Sequence, residues 1–531
     1  MFLGVFDEVE DPLRSINANR ITWKQIVLKL AKSTMFIVIV FAIVLMYVVL
    51  KAASRWSEPQ NLPPGECWFP FRAIFNRSEI TAPCETLMEM AKVYGDVFTI
   101  KRGRQITVFI NNISVAKKAL QNKGNDFAGR AYSQACDLLT QGKMGFINGD
   151  FDSTLELHNK VLKLALHMIT DTCFSLSLEK KISKEADFLV DRFKEAMNEP
   201  FDPKYKVYLA VVNAFSAILF EKRYKINDPE FYEVVELNNR LRKISNNAEI
   251  LDRFPLLRFF PVDLVNDVSE VTRSRDWLLK NKLKEHRSTF MNDNIRDFTD
   301  ALLKAFSLMD GGMSRMKANQ VLDDDNLILM IMDVFFAGVD PVSATLSWVI
   351  AHLASHPHVQ AKLHLELDAV MGSNRHPSLS DRSRLPYLQA VMYETLRLAS
   401  PVPLSFPHKA VTDSTLQGFT IPKGCSVIFN FWAMHHDGRQ WENPYQFRPE
   451  RFIDAQGNVL PLPSLSFLPF GCGSRRCLGQ SLAMIKFFLF FSRLVSEFKF
   501  SVSPGCDRPS MLGTTTAVRE PRPFRVFVTL R

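Results

Sequence analysis

Through most of the chain, apolar residues recur every three or four positions, the spacing that gathers them on one face of an α-helix. This periodicity predicts helices over 155–168, 186–197, 322–353 and 359–370. Alternating patterns are rarer. They predict short strands at 97–100 and 106–110, around Gly103, and at 426–430 after the Pro422-Lys423-Gly424 turn. One stretch follows neither rule. From Thr34 to Leu50 no charged residue occurs, and Lys29, Lys32, Lys51 and Arg55 bracket the run. Such a run crosses a bilayer as a slightly short helix, which makes 34–53 a transmembrane anchor. The flanking cations are too balanced to set its orientation.

Residues 1–33 form a polar N-terminal extension. Its acids Asp7, Glu8, Glu10 and Asp11 argue against a mitochondrial leader, which is poor in acids. Pro59, Pro63, Pro64 and Gly65 break any helix and predict a stiff proline-rich hinge over 54–65. No repeat, low-complexity tract or second linker divides 66–531. That segment is expected to fold as one mainly α domain with a small β-rich part.

Composition narrows the function. The chain has 531 residues, 47% of them hydrophobic, enough to bury a large core. Its net charge of +9 is spread out, with no basic run or aromatic–basic interleaving, so nucleic acid is not expected as a partner. Membrane lipid or an acidic protein suits the charge better. The eight cysteines form no CxxC pair, which indicates neither a zinc site nor a disulfide scaffold.

The candidate chemistry lies near the C-terminus. In Phe470-Gly471-Cys472-Gly473-Ser474-Arg475-Arg476-Cys477-Leu478-Gly479 a Gly-rich loop presents Cys477 just before an apolar helix pattern. A thiolate offered to a metal from a helix N-terminus fits, and so does a structural cysteine beside a turn. Upstream, Glu394 and Arg397 stand at i and i+3 on one helix face, and Phe447-Arg448-Pro449-Glu450-Arg451-Phe452 follows. Earlier still, Ile331 to Ser343 reads as an apolar helix containing Ala337-Gly338, Asp340 and Pro341.

In the order and spacing of these stretches the chain resembles the cytochromes P450, nearest to the microsomal group of steroid 17-alpha-hydroxylase/17,20-lyase. The resemblance implies the P450 fold, with a small β-rich subdomain beside the helices, and haem b as cofactor. Cys477 would be the iron ligand, in a loop shaped by Phe470, Gly471 and Gly479. Arg475, His408 and Arg130 would hold the propionates. Glu394, Arg397 and Arg451 would form a buried ion network behind the loop. The long helix would cross the distal haem face with a local bulge at Ala337-Gly338, and Asp340 would relay protons.

Two positions depart from the family pattern. Pro341 stands where a threonine is usual, leaving Ser343 as the substitute hydroxyl. Leu155 and Asn159 stand where a tryptophan and an arginine are usual, with His158 nearby read as a surface residue. By the same resemblance Phe146, Ile147, Asn239, Ala337, Gly338, Val402 and the 513–516 loop would line an apolar substrate pocket, with Asn239 as its polar contact. The implied activity is hydroxylation of a hydrophobic, steroid-like molecule. Electrons would come from NADPH through cytochrome P450 reductase docked near Arg475 and Arg476, with cytochrome b5 as a second candidate partner. The place would be the endoplasmic reticulum membrane, with the catalytic body cytosolic. Pro341 keeps open a haem-thiolate isomerase or lyase that needs no O2 activation. A non-catalytic haem protein that binds hydrophobic ligands is the other alternative.

Overall fold

The structure, a computed structural model, describes residues 61–531 except 69–82, 103–104, 144, 198, 261, 311–322, 373–374, 462–465, 504, 506 and 516. Before residue 61 it describes only Phe41, Leu45 and Met46, which are helical and exposed. The extension 1–33, the rest of the anchor over 34–53 and the hinge up to residue 60 lie outside the described residues. Gly65, at the end of the expected hinge, is already the first residue of a strand.

The long helices are α1 (Pro83–Tyr94), α2 (Ser153–Thr170), α3 (Thr172–Lys194), α4 (Lys204–Phe220), α5 (Pro229–Arg253) and α6 (Asp263–Thr289). They continue with α7 (Phe298–Asp310), α8 (Asp324–Ser355), α9 (Pro357–Met371), α10 (Pro386–Ala399) and α11 (Gln480–Glu497). The expected helix over 186–197 is the second half of α3. It ends at Lys194 because residues 195–197 turn ahead of Pro200.

Helices α3, α4, α8 and α11 pack together around the main core. Helix α4 is apolar on nearly every side from Val207 onward, as a helix enclosed by others must be. Helix α8 is long and apolar enough to cross a membrane, yet most of it is buried against its neighbours, which makes it the central helix of the body. Its first turn is capped by the Asp323 carboxylate, which accepts from the Asn326 N–H. The helix is α throughout, with Pro341 inside it, so the bulge expected at Ala337-Gly338 is not found.

The main sheet is built of β1 (Gly65–Trp68), β2 (Val97–Arg102), β3 (Gln105–Ile110), β4 (Gly129–Arg130), β5 (His408–Lys409) and β6 (Ser426–Phe429). Across the sheet they lie in the order β1-β2-β3-β6-β5-β4. The strand expected over 426–430 stops at Phe429 because the Asn430 side chain caps the next short helix by accepting from the Ala433 N–H. At the sheet's far edge β4 pairs antiparallel with β5, setting Arg130 directly opposite His408.

Candidate active site

Helix α11 begins at Gln480, so Cys477 sits at its N-terminal mouth, where backbone N–H groups favour an anionic sulphur. The preceding loop is closed by the Cys477 N–H donating to the Phe470 carbonyl at 2.9 Å. Gly473 has φ +77, and a Cβ there would lie 1.8 Å from the Leu120 carbonyl oxygen, so only glycine fits. Gly471 also has a left-handed backbone, with φ +66, while Phe470 is half-buried beside the loop. Cys477 has exposed surface by area, yet the surrounding protein raises its thiol pKa, a shift opposed by the Gly479 N–H and the Lys486 charge. Both hold for a sulphur facing an internal cleft rather than bulk water.

Beside the loop, strand pairing gathers three cationic or protonatable groups. Arg130 Nε donates to the Ile147 carbonyl at 2.9 Å, while its buried Nη1 has no hydrogen-bond partner among the described residues. Arg475 donates to the carbonyls of Ala128 and Gly149 at 2.8 and 2.7 Å. His408 Nδ1 bonds the Phe127 carbonyl at 2.8 Å. Burial, then the Arg475 charge, lowers Arg130 to about 9. Burial lowers Arg475 to about 10, against the pull of Asp150 and Asp152. His408 falls to about 3 through burial and the Arg130 charge, and is neutral. Arginines do not deprotonate near neutral pH, so these shifts mark positive charge without enough counter-charge. A group carrying carboxylates, with a metal for Cys477, supplies what the cluster lacks, and the propionates and iron of haem fit that donor set.

The middle of α8 presents two faces. Ala337, Gly338 and Pro341 retain accessible surface within a mostly buried helix, one stripe at i, i+1 and i+4. Asp340, Ser343, Ala344 and Ser347 form another stripe, which lines a separate cavity of about 420 Å³ with Tyr208, Asn239, Arg242 and Glu520. Asp340 is buried and accepts from Asn238 Nδ2 at 3.0 Å. Burial raises its carboxyl to about 6, against the pull of Arg242 and the Asn238 bond.

Ser343 donates back to the Val339 carbonyl at 2.9 Å. Ser343 lines the polar cavity together with Asp340, on a face of α8 other than that of Ala337 and Pro341. Asn239 also belongs to this polar cavity, where its Oδ1 accepts from Arg242 at 3.3 Å. Phe146 and Ile147 lie on a loop whose N–H groups are held by Asp333 of α8, the Ile147 bond being 3.0 Å. Val402 is half-buried just before Leu404, which bridges to Asn430 in the sheet. Thr515 and Gly513 form strand β7 (Gly513–Thr515).

Behind the loop, Glu394 and Arg397 come together out of solvent, with half-buried Arg451 at their edge. Arg397 grips Glu394 with two bonds of 2.7 and 2.9 Å, and Arg451 Nε reaches Glu394 Oε1 at 3.0 Å. Glu394 and Arg397 are fully buried. The remaining Arg397 donors satisfy the carbonyls of His435 and Pro444 at 2.7 and 2.8 Å, tying α10 to the segment that leads into the cysteine loop.

Several residues here escaped the sequence reading. His158 is buried, not at the surface, because it shares the apolar stripe of α2 with Leu155, Val161 and Leu162, a spacing visible in the sequence. Asp333 is buried with its carboxyl raised to about 6 by desolvation, and holds the Phe146–Ile147 loop. Asn238, not Asn239, touches Asp340. Lys486 is buried on α11 with Nζ on the Gly338 carbonyl at 2.9 Å. Arg475 points inward, so of the two loop arginines only Arg476 presents its charge outward.

The family model described as Cytochrome P450 matches residues 63–528. A steroid 17-alpha-hydroxylase/17,20 lyase from Ictalurus punctatus is 33% identical over 491 residues, covering 92% of this chain and 95% of the relative. One from Rana dybowskii is 35% identical over 442 residues, covering 83% and 85%. Cytochrome P450 1A1 from Rattus norvegicus is 33% identical over 470 residues, covering 86% and 88%. Among solved structures, a zebra fish cytochrome P450 with progesterone superposes with TM-score 0.74 at 32% identity, covering 85% of this chain and 99% of that one.

Proposed function

The chain belongs to the cytochrome P450 family and is a monooxygenase of its steroid 17-alpha-hydroxylase group, and from that premise we propose that it hydroxylates a steroid-like substrate at the endoplasmic reticulum membrane. The observation that carries the reading is Cys477 at the mouth of α11 beside the under-compensated Arg130, His408 and Arg475 cluster. The substrate class is supported by the relatives' names and by zebra fish P450 structures holding progesterone and abiraterone. The 34–53 run would anchor the chain, and the exposed Arg476 would help seat an NADPH-dependent reductase by complementary charge.

In this reading Cys477 would ligate the iron of haem b, and Arg130, Arg475 and His408 would hold its carboxylates. When bound, the haem supplies the oxygen chemistry: substrate C–H, O2, two electrons and two protons give C–OH and water. The chain's own part is to orient and to manage protons. The Gly479 N–H and Lys486 partly offset the burial that raises the Cys477 thiol, and so favour the thiolate that the iron would bind. Asp340, raised to about 6, exchanges its carboxyl proton near neutral pH, held in place by Asn238. Protons reach it from the polar cavity at Arg242 and Glu520. Asp333 fixes the Phe146–Ile147 loop against α8, and so the wall of the substrate site.

The test is a titration of the holoprotein with progesterone and related steroids, followed by product analysis under labelled O2 with NADPH and reductase. A spin-state change and a product carrying one labelled oxygen are expected. Product formed without O2 uptake would overturn the reading in favour of an isomerase or lyase. Binding without product under any electron donor would leave a ligand-binding protein.

A further inference from the structure

Lys486 places an amine in the buried core, and nothing derived above needs it there. It is 1% exposed, and its neighbours Met484, Phe487, Phe488 and Leu489 belong to the core. Burial pushes its ammonium well below the ordinary lysine value, with some return from Cys477, just before the same helix. A buried cation is costly unless specific partners hold it. Lys486 has two. Its Nζ donates to the Gly338 carbonyl at 2.9 Å and lies 3.6 Å from the centre of the Phe215 ring. That ring also closes the space before Gly338, where a Cβ would fall 2.1 Å from Phe215 Cζ. Helices α4, α8 and α11 thus meet at one carbonyl.

The carbonyl belongs to the turn that Pro341 weakens. Pro341 has no N–H for the Ala337 carbonyl, and its ring crowds that oxygen. Just beyond, the hydroxyls of Ser343, Thr345 and Ser347 bond back to the carbonyls of Val339, Pro341 and Ser343, competing with the backbone ladder. Yet α8 remains helical from Asp324 to Ser355. We propose that Lys486 is a positioning residue that clamps the Gly338 turn of α8 to the helix that follows Cys477, replacing from outside the constraint that Pro341 removes from within. The clamp fixes how the Ala337–Pro341 face stands relative to the thiolate. This use of the clamp rests on the haem-thiolate reading; the clamp itself does not.

The experiment is hydrogen–deuterium exchange on the full-length holoprotein, following peptides that cover 335–345. The variants are Lys486→Met, Lys486→Arg, Pro341→Ala and Lys486→Met/Pro341→Ala. Losing a charge-assisted bond to a buried carbonyl should speed exchange at 337–343 by roughly ten-fold in Lys486→Met, with the ends of α8 unchanged. Lys486→Arg, which keeps a donor, should stay near wild type. With Pro341→Ala the backbone bond returns, and Lys486→Met should then change exchange by less than about two-fold. Unchanged exchange in Lys486→Met, equal acceleration in both backgrounds, or acceleration spread over α3 and α4 would overturn the proposal. So would Lys486→Arg behaving like Lys486→Met. If Lys486→Met does not fold, rescue by Pro341→Ala supports the clamp, and failure of rescue overturns it. The spectrum of each reduced carbon-monoxide complex is recorded in parallel. Loss of the thiolate signature in wild type would refute the haem reading, while the exchange cycle judges the clamp.

Discussion

Replacing Arg397 with leucine tests the ion network behind the cysteine loop. Arg397 makes two bonds to Glu394, of 2.7 and 2.9 Å, and one to the His435 carbonyl, all buried, with a fourth, part-buried, to the Pro444 carbonyl. After Arg397→Leu, Glu394 Oε1 still accepts from Arg451 Nε at 3.0 Å and from the Arg448 N–H at 2.9 Å. Its Oε2 and both carbonyls lose the arginine. Breaking a buried pair costs about 3–5 kcal/mol, and the surviving Arg451 contact places the expectation near about 4 kcal/mol. The assay is urea unfolding of the holoprotein, with the free-energy change taken from the midpoint shift at constant slope. Arg397→Lys should still cost more than about 2 kcal/mol, because an ammonium cannot make the two-point contact. Glu394→Leu/Arg397→Leu should cost less than the sum of the single changes. A loss below about 1 kcal/mol for Arg397→Leu would put the pair with solvated surface bridges and refute the reasoning.

Other outcomes follow from the same geometry. Arg130→Leu removes a charge aimed at the carboxylate site and should weaken haem retention roughly ten- to hundred-fold, read by haem transfer to apomyoglobin; unchanged retention would exclude the propionate role. Asp340 has a folded pKa of about 6, above the unfolded value. Its neutral form is favoured by folding, so stability is fully present below the unfolded pKa and is lost as pH rises through about 6. Asp340→Asn should therefore gain up to about 3 kcal/mol over wild type at neutral pH and nothing near pH ~3, as seen in paired unfolding curves. Gly338→Ala drives a methyl into Phe215 and should cost about 1–3 kcal/mol, most of it recovered by adding Phe215→Leu.

The sequence was most informative where one loop holds the chemistry. Cys477 and the glycines around it lie within ten residues, so their order alone marked the loop, and the same holds for Glu394 and Arg397 one helical turn apart. The opposition of Arg130 and His408 depends on strands far apart in sequence, and only the family resemblance suggested it. The distal side was less legible because helix orientation decides it. One residue turns a side chain by about 100° around a helix, which separates Asn238 on Asp340 from Asn239 beside Arg242. The same rotation puts Ser343 on the cavity face rather than beside Pro341. Asp333 and Lys486 read as ordinary charged residues in the sequence, and only packing reveals them as buried and bonded.

The account depends most on Cys477 as the metal-bound thiolate. The direct measurement is the absorption spectrum of the reduced carbon-monoxide complex in wild type and in Cys477→Ser. The account predicts the red-shifted thiolate band in wild type and its loss in Cys477→Ser, with haem still bound through the Arg130, His408 and Arg475 cluster. A thiolate band that persists in Cys477→Ser would contradict it.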